Sequence, residues 1–374
     1  MKRGYSRRIL VLEPDLYGHK FDYTRYLMNQ ALADGHEVFA AVQPHKTGGR
    51  RDRELREQYG SHIRYVEVTD RQVVLSTLRD VMNRGEFWTD VVVPSGDLLI
   101  KELALLPLRR LPFGHETRLR CLFMRPPVAG LVSYRNYQKI LALKSARRHP
   151  GCSVACLVGP GMRTHGGDVV PDPIEILGSG HQLPPELCWL DPAVFWFGVV
   201  GTIYPRKNPF LVAKALAAGS HSQSVGLVIA GPWDDQIWRR RQEISRILTS
   251  VGNSNYAFIN RGLTDEEVDS LIAFLDAVVI AHTNEGSSGI LGRASALGTR
   301  IVAAGATSLR QDAEVVGGQW SRLRPDALKK ACLRSVESPK PDPNPAATAE
   351  DFATSLLYGK ERVYESSGWS HGSL

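Results

Sequence analysis

What the sequence lacks narrows it first. No apolar run approaches the ~20 residues that a membrane-spanning helix requires. Cysteine is sparse: Cys121, Cys152, Cys156, Cys188 and Cys332 make an odd set without zinc-site spacing. Cys152 and Cys156 have no second ligand pair, so they read as thiols in a reducing compartment. There is no Gly-x-Ser-x-Gly elbow and no P-loop. The GxGxxG fingerprint is missing after the first strand, which argues against a dehydrogenase. No Asp-x-Asp pair is present to hold a metal against a sugar nucleotide, and no metal-ligand cluster is evident. No helix-turn-helix, zinc finger or aromatic RNA motif accompanies the basic residues, so no nucleic-acid partner is expected. The basic start Met1–Arg8 is followed by only about five apolar residues before Glu13, too few for an export signal. The expected location is cytoplasmic.

What is present describes a soluble two-domain protein. A chain of 374 residues exceeds a single core of ordinary size, and 43% hydrophobic with 23% charged is a globular composition. Charge is uneven: residues 1–170 hold 27 Lys and Arg against 17 Asp and Glu, whereas the remainder holds 19 against 22. The basic half suits an anionic partner or simply a solvated, arginine-rich surface. Short apolar strands alternate with amphipathic helices, the pattern of parallel α/β layers. Strands are predicted at 8–13, 37–42, 62–68, 90–93, 118–123 and 153–157, then at 194–200, 225–230, 256–259, 277–281 and 300–303. Helices are predicted at 20–34, 134–147, 208–218, 234–249, 264–274, 288–297, 326–337 and 346–365. The glycine- and proline-rich stretch 159–191 holds the boundary, giving domains 1–170 and 171–345 followed by a last helix.

The region from Gly198 to Gly305 carries the most chemistry. A strand ends in Gly201-Thr202, and the basic pair Arg206-Lys207 follows ahead of a helix opened by Asn208-Pro209. Later comes Glu285-Gly286-Ser287-Ser288-Gly289-Ile290, a glycine- and serine-rich helix entry. Unpaired N–H groups at a helix start and two full positive charges are what a diphosphate needs. Gly286 and Gly289 permit close backbone approach, and Ser287 and Ser288 can cap the helix or bond phosphate oxygens. Read without a ligand, the basic pair is an exposed loop and Glu285 an ordinary helix N-cap.

This order and spacing resemble the donor half of a GT-B glycosyltransferase, specifically the retaining enzymes of glycosyltransferase family 4, most clearly over residues 170–315. The resemblance implies an α/β fold of two Rossmann-like domains facing each other across a cleft, with the last helix returning to the first domain. It implies that Arg206, Lys207, Gly286, Ser287, Ser288, Gly289 and Ile290 bind the donor and that Glu285 touches the donor sugar. One position departs: the family's second acid, eight residues after the first, is Arg293 here. A guanidinium has only donors, so it can pair with a phosphate or form an internal ion pair.

The first half matches less closely. Gly18 and His19 occupy the family's glycine-rich loop near the donor phosphates, although His19 can equally cap the helix. Arg125 stands after the fifth strand, about where the family places a histidine by the reacting centre, and can stabilise a departing phosphate. Asp97, after the fourth strand, is a candidate acceptor contact. The stretch Leu98–Phe113, with Lys101, Arg109 and Arg110 among leucines, reads either as peripheral membrane contact or as core leucines interrupted by Pro107 and Pro112.

The leading expectation is a retaining glycosyltransferase of hexosyltransferase type. It would move a sugar from a nucleotide diphosphate sugar to an acceptor hydroxyl on a glycan, lipid-linked sugar or small molecule, with no cofactor and no metal. The alternatives are a GT-B-like nucleotide-binding protein without transferase activity, motivated by Arg293, and a nucleotide-sugar epimerase or hydrolase.

Overall fold

The computed structural model of the chain describes residues 6–16, 18–43, 50–65, 73–107, 116–165, 168–178, 182–219, 224–344 and 347–359. It divides into two compact units. Unit 1 takes Met1–Val158, Thr164–Pro173 and the chain from Thr348 on; unit 2 takes Gly159–Arg163 and Ile174–Ala347.

Unit 1 runs β1 (Arg8–Leu12), α1 (His19–Ala33), β2 (Glu37–Val42), α2 (Arg50–Tyr59), β3 (Ile63–Tyr65), α3 (Leu75–Met82), β4 (Asp90–Val93), α4 (Asp97–Leu105), β5 (Arg118–Phe123), α5 (Tyr134–Ala146), β6 (Cys152–Val158) and β7 (Asp168–Pro171). The strands form one parallel sheet in the order β3-β2-β1-β4-β5-β6-β7. Ile9 of β1 pairs with Val38 on one side and Asp90 on the other. Both faces are covered, so the strands read as continuous apolar runs. Ile9 and Val11 join the core beneath α1, while Leu10 and Leu12 join the core beneath α4 and α5.

Unit 2 repeats the plan with β8 (Phe195–Val200), α6 (Pro209–Ala217), β9 (Val225–Ala230), α7 (Asp235–Arg239), α8 (Arg241–Thr249), β10 (Tyr256–Ile259), α9 (Asp265–Phe274), β11 (Ala277–His282), α10 (Gly289–Ala296), β12 (Arg300–Gly305), α11 (Thr307–Val315), β13 (Gln319–Ser321) and α12 (Pro325–Glu337). The strand order is β10-β9-β8-β11-β12-β13, again parallel. Phe195, Phe197 and Val199 face one core and Trp196 and Val200 the other, as the period of two requires. The last helix, α13 (Ala349–Tyr358), packs in unit 1: the Phe352 ring stacks on Tyr23 at 4.5 Å, and the Tyr358 hydroxyl donates to Asp34.

Most predicted strands fall within a residue or two of the observed ones. The predicted helix 234–249 is two helices, broken at Arg240, whose ψ of 3° leaves the helical region. Helices α2, α3, α4 and α11 were not predicted as such. Residues 66–70 of the predicted third strand and 360–365 of the last helix lie outside the described residues.

In each sheet the connections leave the central pair in opposite directions, between β1 and β4 and between β8 and β11. Such switch points, at the carboxyl ends of the strands, are where open α/β sheets bind ligands.

Candidate functional site

The switch point of unit 2 is built from the ends of β8 and β11 and the start of α10. Strand β8 ends at Val200 and is followed by Gly201, whose φ of 88° disfavours any L side chain. A Cβ there would stand 3.0 Å from the Lys207 Nζ and 3.9 Å from the Ile290 side chain. The missing side chain therefore brings the ammonium, the strand end and the helix start together. Lys207 closes a 3-10 turn, Pro205–Lys207, and donates to the Val200 carbonyl. Asn208 holds the turn down: at φ 50° its amide donates to the carbonyls of Arg206 and Ala281, each at 2.8 Å.

Neither Arg206 nor Lys207 has an ion-pair partner among the described residues. The Arg206 guanidinium is exposed and lies 5.6 Å from the Tyr204 ring centroid. Burial pushes the Lys207 ammonium down to about 8, and the like charge of Arg206 adds to the effect. His282, at the end of β11, is pushed down to about 4 by burial and by the charges of Arg206 and Lys207. It is a neutral imidazole at pH 7. Two like charges thus stand together with no ion-paired carboxylate among the described residues, which is the state a phosphate would relieve.

Helix α10 begins beside this field. Ser288 caps it, its Oγ accepting from the Leu291 N–H at 3.4 Å. The N–H groups of Gly289 and Ile290 have no hydrogen-bond partner among the described residues. Gly286, at φ 134°, turns its N–H to the Ser308 hydroxyl at 3.1 Å. Ser287 is half-buried in the same turn.

Glu285 is committed elsewhere. One carboxylate oxygen accepts from the Thr307 N–H at 2.9 Å and the other from Ser308 N–H at 2.8 Å. It therefore caps α11, a helix whose own N-cap residue, Ala306, has no side chain for the task. The N-cap alternative open at sequence level is realised, but on the next helix and not on α10.

No protein-family model matches this sequence, and no curated sequence matches it. Solved structures do match. HepE of Anabaena, in complex with UDP and glucose, superposes with a TM-score of 0.59 at 15% identity over 94% of this chain and 95% of that one. A glycosyltransferase from Rickettsia africae gives 0.57 at 11% identity over 95% and 93%. Sucrose-phosphate synthase from Thermosynechococcus elongatus gives 0.57 at 14% over 94% and 95%. All three are GT-B glycosyltransferases.

The fold is GT-B.

Within this GT-B chain the departing position, Arg293, has an internal explanation. Its guanidinium bonds Asp265 at 2.9 Å and the fully buried Asp269, both on α9. The second Asp269 oxygen accepts from the Leu177 N–H at 2.7 Å. Of the two alternatives, phosphate pairing or internal ion pair, these contacts realise the ion pair. Two of its five N–H donors, one on each terminal nitrogen, are thereby engaged by carboxylates.

In unit 1, Gly18 and His19 sit in the β1–α1 turn. Gly18 is the N-cap of α1 at φ 66°, and the exposed His19 ring lies 5.3 Å from that of Tyr23. Asp97 opens α4, and its carboxylate accepts from the Met124 and Arg125 N–H groups at 3.2 and 3.1 Å. Burial raises its pKa against those bonds. Asp97 thus fixes the end of β5, and the Arg125 side chain projects exposed from that end. In Leu98–Phe113, Leu99, Ile100 and Leu103 are core, Lys101 and Leu105 are exposed, and residues 108–115, including Arg109 and Arg110, lie outside the described residues. Leu99 and Leu103 take the core reading, while Leu105 stands exposed.

Sequence reasoning missed two titratable groups. Glu13, one residue past β1, is fully buried with its carboxylate 3.6 Å from the Lys20 ammonium, and burial pushes it up to about 7. The other is His282. The signal for both was position alone, one residue past or at the end of a central strand. Among the described residues no group of His, Cys, Asp or Glu is arranged to hold a metal ion, and no helix is long and apolar enough to cross a membrane.

Proposed function

We propose that the protein is a glycosyltransferase that moves a sugar from a nucleoside diphosphate sugar to an acceptor hydroxyl. The observation that carries the reading is the Lys207 ammonium, desolvated against Gly201 with a carbonyl as its bonding partner and no carboxylate. A half-buried cation left this way is costly unless an anion completes it. Arg206 and the Gly289 and Ile290 N–H groups point to the same anion, a diphosphate. HepE, of the same fold, has been solved with UDP and with UDP-glucose, which favours a nucleotide of that chemistry.

In this reading the bond from the sugar's anomeric carbon to the diphosphate breaks as the acceptor oxygen bonds that carbon. The charge gathering on the leaving diphosphate is held by Arg206, Lys207 and the helix start, with no divalent ion required. The acceptor proton leaves on the departing phosphate if attack and departure share one face, the retaining course that the family resemblance implies. Glu285 shapes the site by anchoring its loop to α11, and its remaining lone pairs are what a sugar hydroxyl would use. Asp97 holds Arg125 at the carboxyl edge of unit 1, the side on which an acceptor would be received.

A second reading has its own support. With Glu285 capping α11 and Arg293 tied to α9, the site would bind a nucleotide diphosphate without transferring sugar. Titration calorimetry with nucleoside diphosphates, followed by diphosphate release from a panel of nucleotide sugars with and without sugar acceptors, separates the cases. Tight binding with acceptor-dependent release supports transfer; release without acceptor makes it a hydrolase, and binding with no turnover favours the second reading. Absence of binding to every diphosphate removes the proposal.

A further inference from the structure

We propose that α5 of unit 1 docks the protein on an anionic lipid surface. From Thr117 to Gly167 the chain carries nine Lys and Arg and not one Asp or Glu. Helix α5 and the two residues after it contribute Arg135, Lys139, Lys144, Arg147 and Arg148 to that run.

The second observation is independent of charge. Tyr134, Tyr137 and Leu141 stand three and four residues apart, on one helix face, and all three are exposed. Val132, just ahead of the Ser133 cap, is 99% exposed. The opposite face, with Asn136, Leu143 and Ala146, is the buried one. Leu105 of α4 is 86% exposed, and α4 lies along the C-terminal end of α5 through the Ser145 hydroxyl on Ala104 and the His149 ring on Leu103. The exposed cations Arg135, Lys144, Arg148 and Lys101 accompany the stripe. The acids of α4 do not oppose them freely: Asp97 holds two backbone N–H groups and Glu102 holds that of Leu75 at 2.6 Å.

Single exposed apolar residues are ordinary, whereas an ordered row of them marks a contact surface. The chemistry selects the partner. Protein interface cores are depleted in lysine, but bilayer surfaces take tyrosine and leucine alongside Lys and Arg. Tyrosine rings suit the headgroup layer, with an apolar body and a polar tip. This docking does not depend on the transfer reaction proposed above.

Flotation of the full chain with neutral phosphatidylcholine vesicles and with vesicles of about 30% phosphatidylglycerol tests it. Binding should need the anionic lipid and should vanish in about 1 M salt, where screening falls to ~3 Å. Tyr134→Ser/Tyr137→Ser/Leu141→Ser should weaken it at least about tenfold, with the parent's melting temperature, since exposed sites tolerate such changes. Arg135→Gln/Lys144→Gln/Arg148→Gln should weaken it roughly a hundredfold, at about fivefold per cation. No binding to anionic vesicles overturns the proposal, as does equal binding by the apolar variant. Self-association of the parent that the apolar variant abolishes, without lipid binding, also overturns it and assigns the stripe to a second copy.

Discussion

Replacing Arg293 tests whether this residue serves the fold or the ligand. Its guanidinium bridges the exposed Asp265 and the fully buried Asp269, and Asp269 in turn holds the Leu177 N–H. Arg293→Ala leaves the Asp269 carboxylate buried with one backbone donor. Breaking a buried pair from one side costs about 3–5 kcal/mol, while the exposed Asp265 bond adds no more than about 1 kcal/mol. Arg293→Glu also replaces attraction with repulsion, worth about 4 kcal/mol at 4 Å in an effective dielectric of 20. At about 2–4 °C per kcal/mol for a unit of this size, Arg293→Ala should melt roughly 6–20 °C lower, and Arg293→Glu lower still. Calorimetry measures the shift, and Arg293→Met/Asp269→Asn should recover most of the loss. An Arg293→Ala protein that melts within a degree or two of the parent but binds nucleotide poorly would refute the argument, and the arginine would be a ligand contact.

Three other outcomes are expected. Lys207→Met should weaken nucleoside diphosphate binding at least about tenfold, since a charged contact is worth about 1.5–3 kcal/mol. The parent's affinity should fall as pH rises through about 8, where the free ammonium loses its proton; a flat profile from pH 7 to 9 would count against it. Glu285→Gln sets an amide N–H₂ toward a backbone N–H, so it should lower stability by about 0.5–2 kcal/mol through the lost α11 cap, and unchanged urea midpoints would exclude that role. Glu13 has a folded value of about 7 against an ordinary 4.5, so the folded state binds more protons in that window and stability falls as pH rises through it. Glu13→Gln should match the parent near pH 4.5 and exceed it by roughly 3 kcal/mol at pH 8; parallel stability curves across that range would show that burial does not govern this carboxyl.

What could be read from sequence was local. The strand cores of β1, β2, β8 and β9 are unbroken apolar runs, and the Arg206-Lys207 turn and the Ser288 cap lie within a few residues of the elements they serve. What could not be read was set by partners far along the chain. Glu285 looks like the cap of α10 because α10 follows it, yet its carboxylate serves Thr307 and Ser308, on a helix with no cap residue of its own. Arg293 is decided by Asp265 and Asp269 of α9, a helix whose sequence announces only a capping box at Thr264. His282 and Glu13 acquire their perturbed charge from burial at the centre of each sheet, which no local spacing encodes.

The boundaries of the two units have a consequence for dissection of the molecule. Unit 1 is not a continuous stretch: α13, whose Phe352 stacks on Tyr23, arrives only after all of unit 2 has been made. A chain ending at Pro173 would leave that aromatic seat empty. Yet the Ile174 N–H donates to the Ala347 carbonyl at 3.0 Å, so the insertion enters and leaves at one point. Unit 2 is therefore nested like a cassette, and excising 174–347 with a short linker in its place keeps the ends of unit 1 within reach of each other. The excised cassette lacks only the brief excursion Gly159–Arg163, which reaches it through the Gly161 N–H on Asp312 and the Arg163 N–H on Gln311. The nesting predicts that the unit holding Lys207 folds, and can be titrated with diphosphate, apart from the unit holding α5.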